Sequence, residues 1–125
     1  MGFDADAVAA EVRTEFDGYE VALGANDVTA LTGYFWDSPQ AMRMMTTGGL
    51  YGIGEIAAFR KGRDVADMAR ELTRVTILPL GADVAVATAE YRRTGSGKLG
   101  CQTQVWVRRP EGWRIASAHV SLGEA

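Results

Sequence analysis

The chain reads as an α+β domain in which N-terminal helices come first and a curved antiparallel sheet wraps around them as a cone. Two observations predict this. Val8, Val12, Phe16, Tyr19 and Leu23 recur at helical spacing. From Arg70 onward the period falls to two, in long segments separated by Gly81, Gly95-Ser96-Gly97 and Pro110-Glu111-Gly112. Each of those turns is short enough for a hairpin, which makes neighbouring strands antiparallel. With 125 residues and no linker, repeat or low-complexity stretch, residues 1–125 read as one domain.

The elements follow in order. Asp4 and Asp6 favour a helix start, because acidic groups suit the positive end of the helix dipole. Gly24 stops that helix, and Asn26 is expected to cap a second short one that runs through Leu31 and ends at Gly33. Tyr34 to Asp37 reads as a short strand broken by Ser38-Pro39. Ala41 to Thr46 reads as another, followed by a turn at Gly48-Gly49. Tyr51-Gly52 then leads into a helix with Ile53, Ile56 and Phe59 on one face and Arg60 and Arg63 near its edge. Strands are expected at 70–79, 82–93, 99–109 and 113–122.

Both faces of these strands carry apolar residues. In 82–93, Val84, Val86, Thr88, Glu90 and Arg92 share one face and Ala85, Ala87, Ala89 and Tyr91 the other. In 113–122, Trp113, Ile115, Ser117, His119 and Ser121 oppose Ala116, Ala118, Val120 and Leu122. One face is expected to hold the helices and a pocket. The other, rich in small residues, is expected to pack on a second copy, giving a homodimer through the sheet.

Composition narrows the function. Sixteen acidic and thirteen basic residues give a net charge of −3, the wrong balance for nucleic acid. Arg92-Arg93 and Arg108-Arg109 read as solvated strand ends. Cys101 is the only cysteine, so no intrachain disulfide forms, and without a paired base it reads as inert. One His and one Cys give no metal-ligand spacing, and no acid is evidently paired with the His to build a triad. Gly52-x-Gly54-x-x-Ala57 fits a dinucleotide-binding turn locally, but no repeating βαβ pattern builds the crevice that turn serves. The glycines read as easing entry into the helix. The acidic N-terminus is no signal peptide and no apolar run approaches the ~20 residues that span a bilayer, so no membrane contact is expected and a cytoplasmic setting is.

The chemistry concentrates in Tyr34-Phe35-Trp36-Asp37-Ser38-Pro39, Arg43, Leu50-Tyr51-Gly52 and Phe59-Arg60, aromatic and basic groups near the mouth of the cone. Arg43 lies between Met42 and Met44-Met45. A guanidinium is costly to bury there unless it meets an anion or a carboxylate such as Glu90 or Asp37. Its planar fork suits a carboxylate. Tyr19 ends the helical stripe, either as a core aromatic or as a proton donor in the pocket. His119 is of the residue type suited to acid–base work near neutral pH, and Glu90 and Gln104 are expected on the concave face. The candidate site is therefore Tyr19 and Arg43 for chemistry, with Phe35, Trp36, Tyr51, Phe59, Glu90, Gln104 and His119 as ligand contacts. Met42, Met44 and Met45 read as core filling.

The order of elements, together with Phe35-Trp36-Asp37-Ser38-Pro39, Arg43, Tyr51-Gly52, Ile56, Phe59-Arg60, Arg63, Arg70, Gly112-Trp113-Arg114-Ile115 and Ala118-His119-Val120-Ser121, resembles the SnoaL-like, nuclear transport factor 2-like superfamily. Within it the chain resembles the AtzH-like branch, which includes oxalurate-catabolism proteins. The resemblance implies a cone-shaped α+β fold, usually dimeric, with no metal or cofactor, and a link to catabolism of small carboxylated ureides. One activity of the branch is decarboxylation of a dicarboxylated urea by a pocket Tyr and Arg. On this sequence those roles fall on Tyr19 and Arg43. The chain departs from the branch between Arg43 and Tyr51, where Met44-Met45 and Gly48-Gly49 change one pocket wall. The expectation is a cofactor-free lyase or hydrolase for a small anionic ureide. The alternatives are a non-catalytic ligand-binding dimer docked on an amidohydrolase or amidase, and an isomerase or cyclase with Glu90 as base.

Overall fold

The computed structural model describes residues 2–123. Helix α1 spans Ala5–Gly24 and α2 spans Val28–Gly33. Strands β1 (Met42–Met45) and β2 (Gly48–Tyr51) precede helix α3 (Ile53–Gly62). Strands β3 (Arg70–Gly81), β4 (Val84–Arg93), β5 (Leu99–Arg109) and β6 (Gly112–Leu122) complete one six-stranded sheet in the order β2-β1-β6-β5-β4-β3. The sheet is curved and unclosed, a cystatin-like arrangement of the nuclear transport factor 2 type, as the strand and helix order anticipates.

The aspartates set the helix starts. Asp4 caps α1 by accepting from the Ala7 amide at 3.0 Å, and Asp27, not Asn26, caps α2 through the Ala30 amide at 3.1 Å. Asn26 instead takes a left-handed φ of 48° just past α1, a conformation Asn tolerates better than most residues. Two more corrections concern the middle of the chain. Residues 34–37 form only an isolated bridge, Phe35 to Ile115, because Ser38-Pro39 interrupts the ladder at once. Gly48–Tyr51 is a strand paired back on β1, not just a turn, and β1 runs parallel to β6. At the start of α3, Gly52 has a φ of 87° and a Cβ there would lie 3.2 Å from the Pro39 carbonyl oxygen. That close approach accounts for the glycine.

The core lies between α1 and the concave face of the sheet. Val8, Val12, Phe16, Tyr19 and Leu23 pack against Ala85, Ala87, Ala89, Trp106, Trp113 and Ile115, all buried. The small face of β4 is therefore the face that receives the helix. This corrects the expectation that the small residues pack on a second copy. Alanine removes side-chain bulk, so the large aromatics of α1 and β5 fill the space at interior density. Gly100 serves the same end beside Tyr91, its partner across β4–β5, whose ring fills the space a Cβ would take.

Register decides the other faces. Val105 pairs with Ser117, but Trp106 pairs with Ile115, leaving Ala116 as an extra residue. Such a bulge shifts alternation by one position. Trp113 and Ile115 face inward before it and Ala118 after it, so His119 is turned to the exposed outer face. Glu90 pairs with Cys101 and Gln104 with Ala87. Cross-strand partners share a face, so Glu90 and Gln104 lie on opposite faces.

Candidate functional site

Two connected spaces open between α1, α3 and the concave sheet. The inner chamber, of about 40 Å³, is lined by Tyr19, Arg43, Arg63, Arg70, Tyr91 and Gln102 among others. An outer vestibule of about 200 Å³ shares Arg43, Arg63, Met68, Arg93 and Val120 with it and adds Phe59 and Asp64. No carboxylate lines the inner chamber among the described residues.

Each basic side chain comes from a different place in the chain. Arg43 stands on β1 opposite Ala118 of β6, and parallel partners share a face, so it points inward. It is only 6% exposed, and its guanidinium lies 5.0 Å from the Phe59 ring centre. Neither Glu90 nor Asp37 pairs with it; its Nε and Nη1 donors have no partner. Arg63, just past α3, lies 6.0 Å from the same Phe59 ring and also leaves two donors unpartnered. Burial first, and then the neighbouring Arg60 charge, holds Arg63 down to about 10. Desolvation likewise lowers Arg43, with Arg60 adding to it and Tyr19 opposing it. Both guanidiniums remain charged at neutral pH, at a cost that a bound anion would relieve.

Arg60 lies on the buried face of α3, 1% exposed, where the sequence placed it at the edge. Its Nη2 donates to the Tyr19 hydroxyl at 2.6 Å, and its guanidinium lies 5.6 Å from the Tyr19 and Phe35 ring centres. Its Nε and Nη1 are unpartnered. A phenol oxygen that accepts from a guanidinium must direct its own O–H elsewhere. Arg70 behaves differently. Glu20 accepts from its Nε at 3.2 Å and from its Nη2 at 2.5 Å, Gln102 accepts from Nη2 at 2.9 Å, and the guanidinium stacks 4.3 Å from the Tyr91 ring centre. Its charge is neutralised in place. Arg93 has Asp67 at 3.8 Å.

Of the residues the sequence singled out, Tyr19 and Arg43 meet in the chamber and Phe59 in the vestibule. Phe35 is buried behind Arg60, off the chamber wall. Trp36 is half-buried beneath Arg109, 5.2 Å away, and Tyr51 is 60% exposed on the edge strand β2. Gln104 is buried but spends its carbonyl oxygen on the Trp106 indole N–H at 3.0 Å. Glu90 and His119 are on the outer face. Sequence reasoning noticed Arg60, Arg63 and Arg70 but gave them no role in the site, and it missed Gln102. Gln102 carries the same signal as Gln104, a polar residue on an inward strand face, two positions earlier.

A curved sheet over helices with a basic pocket defines a nuclear transport factor 2-like protein. More narrowly, the AtzH-like family model matches residues 1–125, and the chain belongs to that family. It is similar to a crystal structure of a protein of unknown function from Pectobacterium atrosepticum, with 47% identity over 94% of this chain and 92% of that one and a TM-score of 0.89. A cystatin-like fold protein from Burkholderia xenovorans has 32% identity over 99% of both chains and a TM-score of 0.89. A nuclear transport factor 2-like superfamily protein from Salmonella enterica has 25% identity over 96% of this chain and 93% of that one, with a TM-score of 0.77. A comparison with curated proteins found no match. Among the described residues no helix is long and apolar enough to cross a membrane.

Proposed function

We propose that the protein is a cofactor-free lyase that removes carbon dioxide from a small dicarboxylated urea bound across the inner chamber and the vestibule. The observation that carries this reading is the pair of guanidiniums on the wall, buried Arg43 and half-buried Arg63, each with two donor nitrogens lacking a protein partner, while Arg60 backs Tyr19 from behind. Unpaired buried donors are costly, and a compact anion satisfies them. Arg43, aided by Arg63, holds the carboxylate that is retained. The C–N bond to the other carboxylate breaks, its electron pair passes to nitrogen, and the Tyr19 hydroxyl supplies the proton as carbon dioxide departs. Arg60, already donating to that oxygen, stabilises the negative charge growing on it. Water then restores the phenol.

The chamber and the vestibule, about 40 and 200 Å³, suit a compact dianion seated across both over larger ligands such as steroids, which need pockets of roughly 300 Å³ and more. The absence of a carboxylate lining the inner chamber among the described residues disfavours an isomerase that needs a carboxylate base. The test is carbon dioxide release from N,N′-dicarboxyurea. Arg43→Ala is expected to lower kcat/KM by about 10²-fold or more, the scale of truncating one partner of a buried charge pair. A folded Arg43→Ala variant that keeps wild-type release refutes the assignment. We further propose a homodimer through the outer sheet face, where the register Leu78–Val86–Val105 makes an apolar row.

A further inference from the structure

Among the described residues Gln102 is the one buried neutral amide on the chamber wall. It stands on β5, between Ala89 of β4 and Val120 of β6, in the rigid middle of the sheet, and is 3% exposed. A guanidinium only donates, so the atom that Arg70 Nη2 contacts at 2.9 Å is the amide oxygen. Arg70 is itself fixed by Glu20 on two sides. The chain Glu20–Arg70–Gln102 therefore sets which way the amide points. The other end, Nε2, has two N–H donors and no partner. Burying an amide donor unpaired is unfavourable, and leucine at this position would avoid that.

We infer that Gln102 is a specificity-determining residue whose Nε2 donates to a neutral carbonyl oxygen at the centre of the ligand. The assignment rests on the anion-binding reading of the chamber above and adds to it a division of labour. Arg43 and Arg63 are positively charged and recognise carboxylates. Gln102 is neutral, donates, and cannot tell one carboxylate from another better than they do. What it can reject is a dianion of the right length that lacks a central carbonyl, because its amide then stays buried without a partner. A site built to hydrogen-bond one group discriminates against the analogue without it. Arg70 acts as a positioning residue: its charge is spent on Glu20, and it holds the amide.

The test uses two dianions of equal chain length, 3-oxoglutarate, which has a central carbonyl between two carboxylates, and glutarate, which does not. Calorimetric titration of the whole chain is expected to give tighter binding of 3-oxoglutarate by about three- to tenfold, the worth of one buried hydrogen bond. In Gln102→Leu the two affinities should converge, with that for glutarate little changed. Gln102→Met, closer in length and able to fill the same space, should do the same, so the result does not depend on one variant folding. Equal binding of both dianions by the wild type, or a preference that survives in either variant, overturns the Gln102 assignment while leaving the anion reading intact. A wild-type chain that takes up neither dianion overturns both.

Discussion

Removing the Arg43 charge is expected to stabilise the unliganded protein while abolishing its affinity for dianions. Arg43 is 6% exposed with two donors unpartnered, and its charge is disfavoured by burial and by nearby Arg60. Two unsatisfied buried donors cost about 2–6 kcal/mol together. The contact with Phe59 at 5.0 Å returns about 0.5–2 kcal/mol. Arg43→Met keeps the apolar stem and drops both effects, for a net gain of about 1–4 kcal/mol, in the range seen when buried ions give way to apolar residues. For a domain of this size a gain near 2 kcal/mol raises Tm by roughly 6–10 °C. Truncating one partner of a buried charge pair costs about 2–5 kcal/mol of binding. Urea and thermal unfolding in chloride buffer free of multivalent anions measures the first effect, and the same melts with 3-oxoglutarate measure the second. At saturating ligand the wild type should regain the lead. If Arg43→Met folds but is less stable than wild type by more than about 1 kcal/mol without ligand, the guanidinium is structural and the reasoning fails.

The remaining predictions can be checked together. If Arg60 acts through the Tyr19 hydroxyl, Arg60→Met lowers kcat far more than it raises KM, and adding it to Tyr19→Phe costs nothing more; additive losses in that double-mutant cycle would show that the two act independently. Burial brings Arg63 down only to about 10, so it stays charged and dianion affinity should be flat from mildly acidic to mildly alkaline pH. A decline already complete by neutral pH would point to another group. Leu78 is 53% exposed on the outer face, so Leu78→Glu should convert a dimer to monomers by light scattering; a wild-type monomer at micromolar concentration excludes the sheet-face dimer.

Much of the architecture is legible along the chain, because helix and strand periodicities are local. The α1 stripe from Val8 to Leu23, the helical turn at Ile53–Phe59 and the hairpin strands after Arg70 follow from residue spacing and turn residues alone. The inward aim of Arg43 is also suggested, since a guanidinium among methionines needs an anion. Yet the sequence does not say which residues meet. The bulge at Ala116 turns His119 outward, and the β4–β5 register puts Glu90 outside and Gln104 against Trp106. Those outcomes depend on how one strand is offset from its neighbour, and a one-residue shift reverses every face.

Residue spacing fixed the helices and the four long strands and their order, because it reflects the 3.6- and 2-residue repeats of single segments, whereas β2 and the fate of residues 34–37 depended on pairing. Only the packing of α1 and α3 onto the sheet brought Arg43 and Arg63 into one basic pocket with Tyr19, set Arg60 behind that tyrosine, and left Gln102 on the wall with a spare donor. These groups are far apart in sequence, and their convergence is set by long-range register and close packing, which no local pattern encodes.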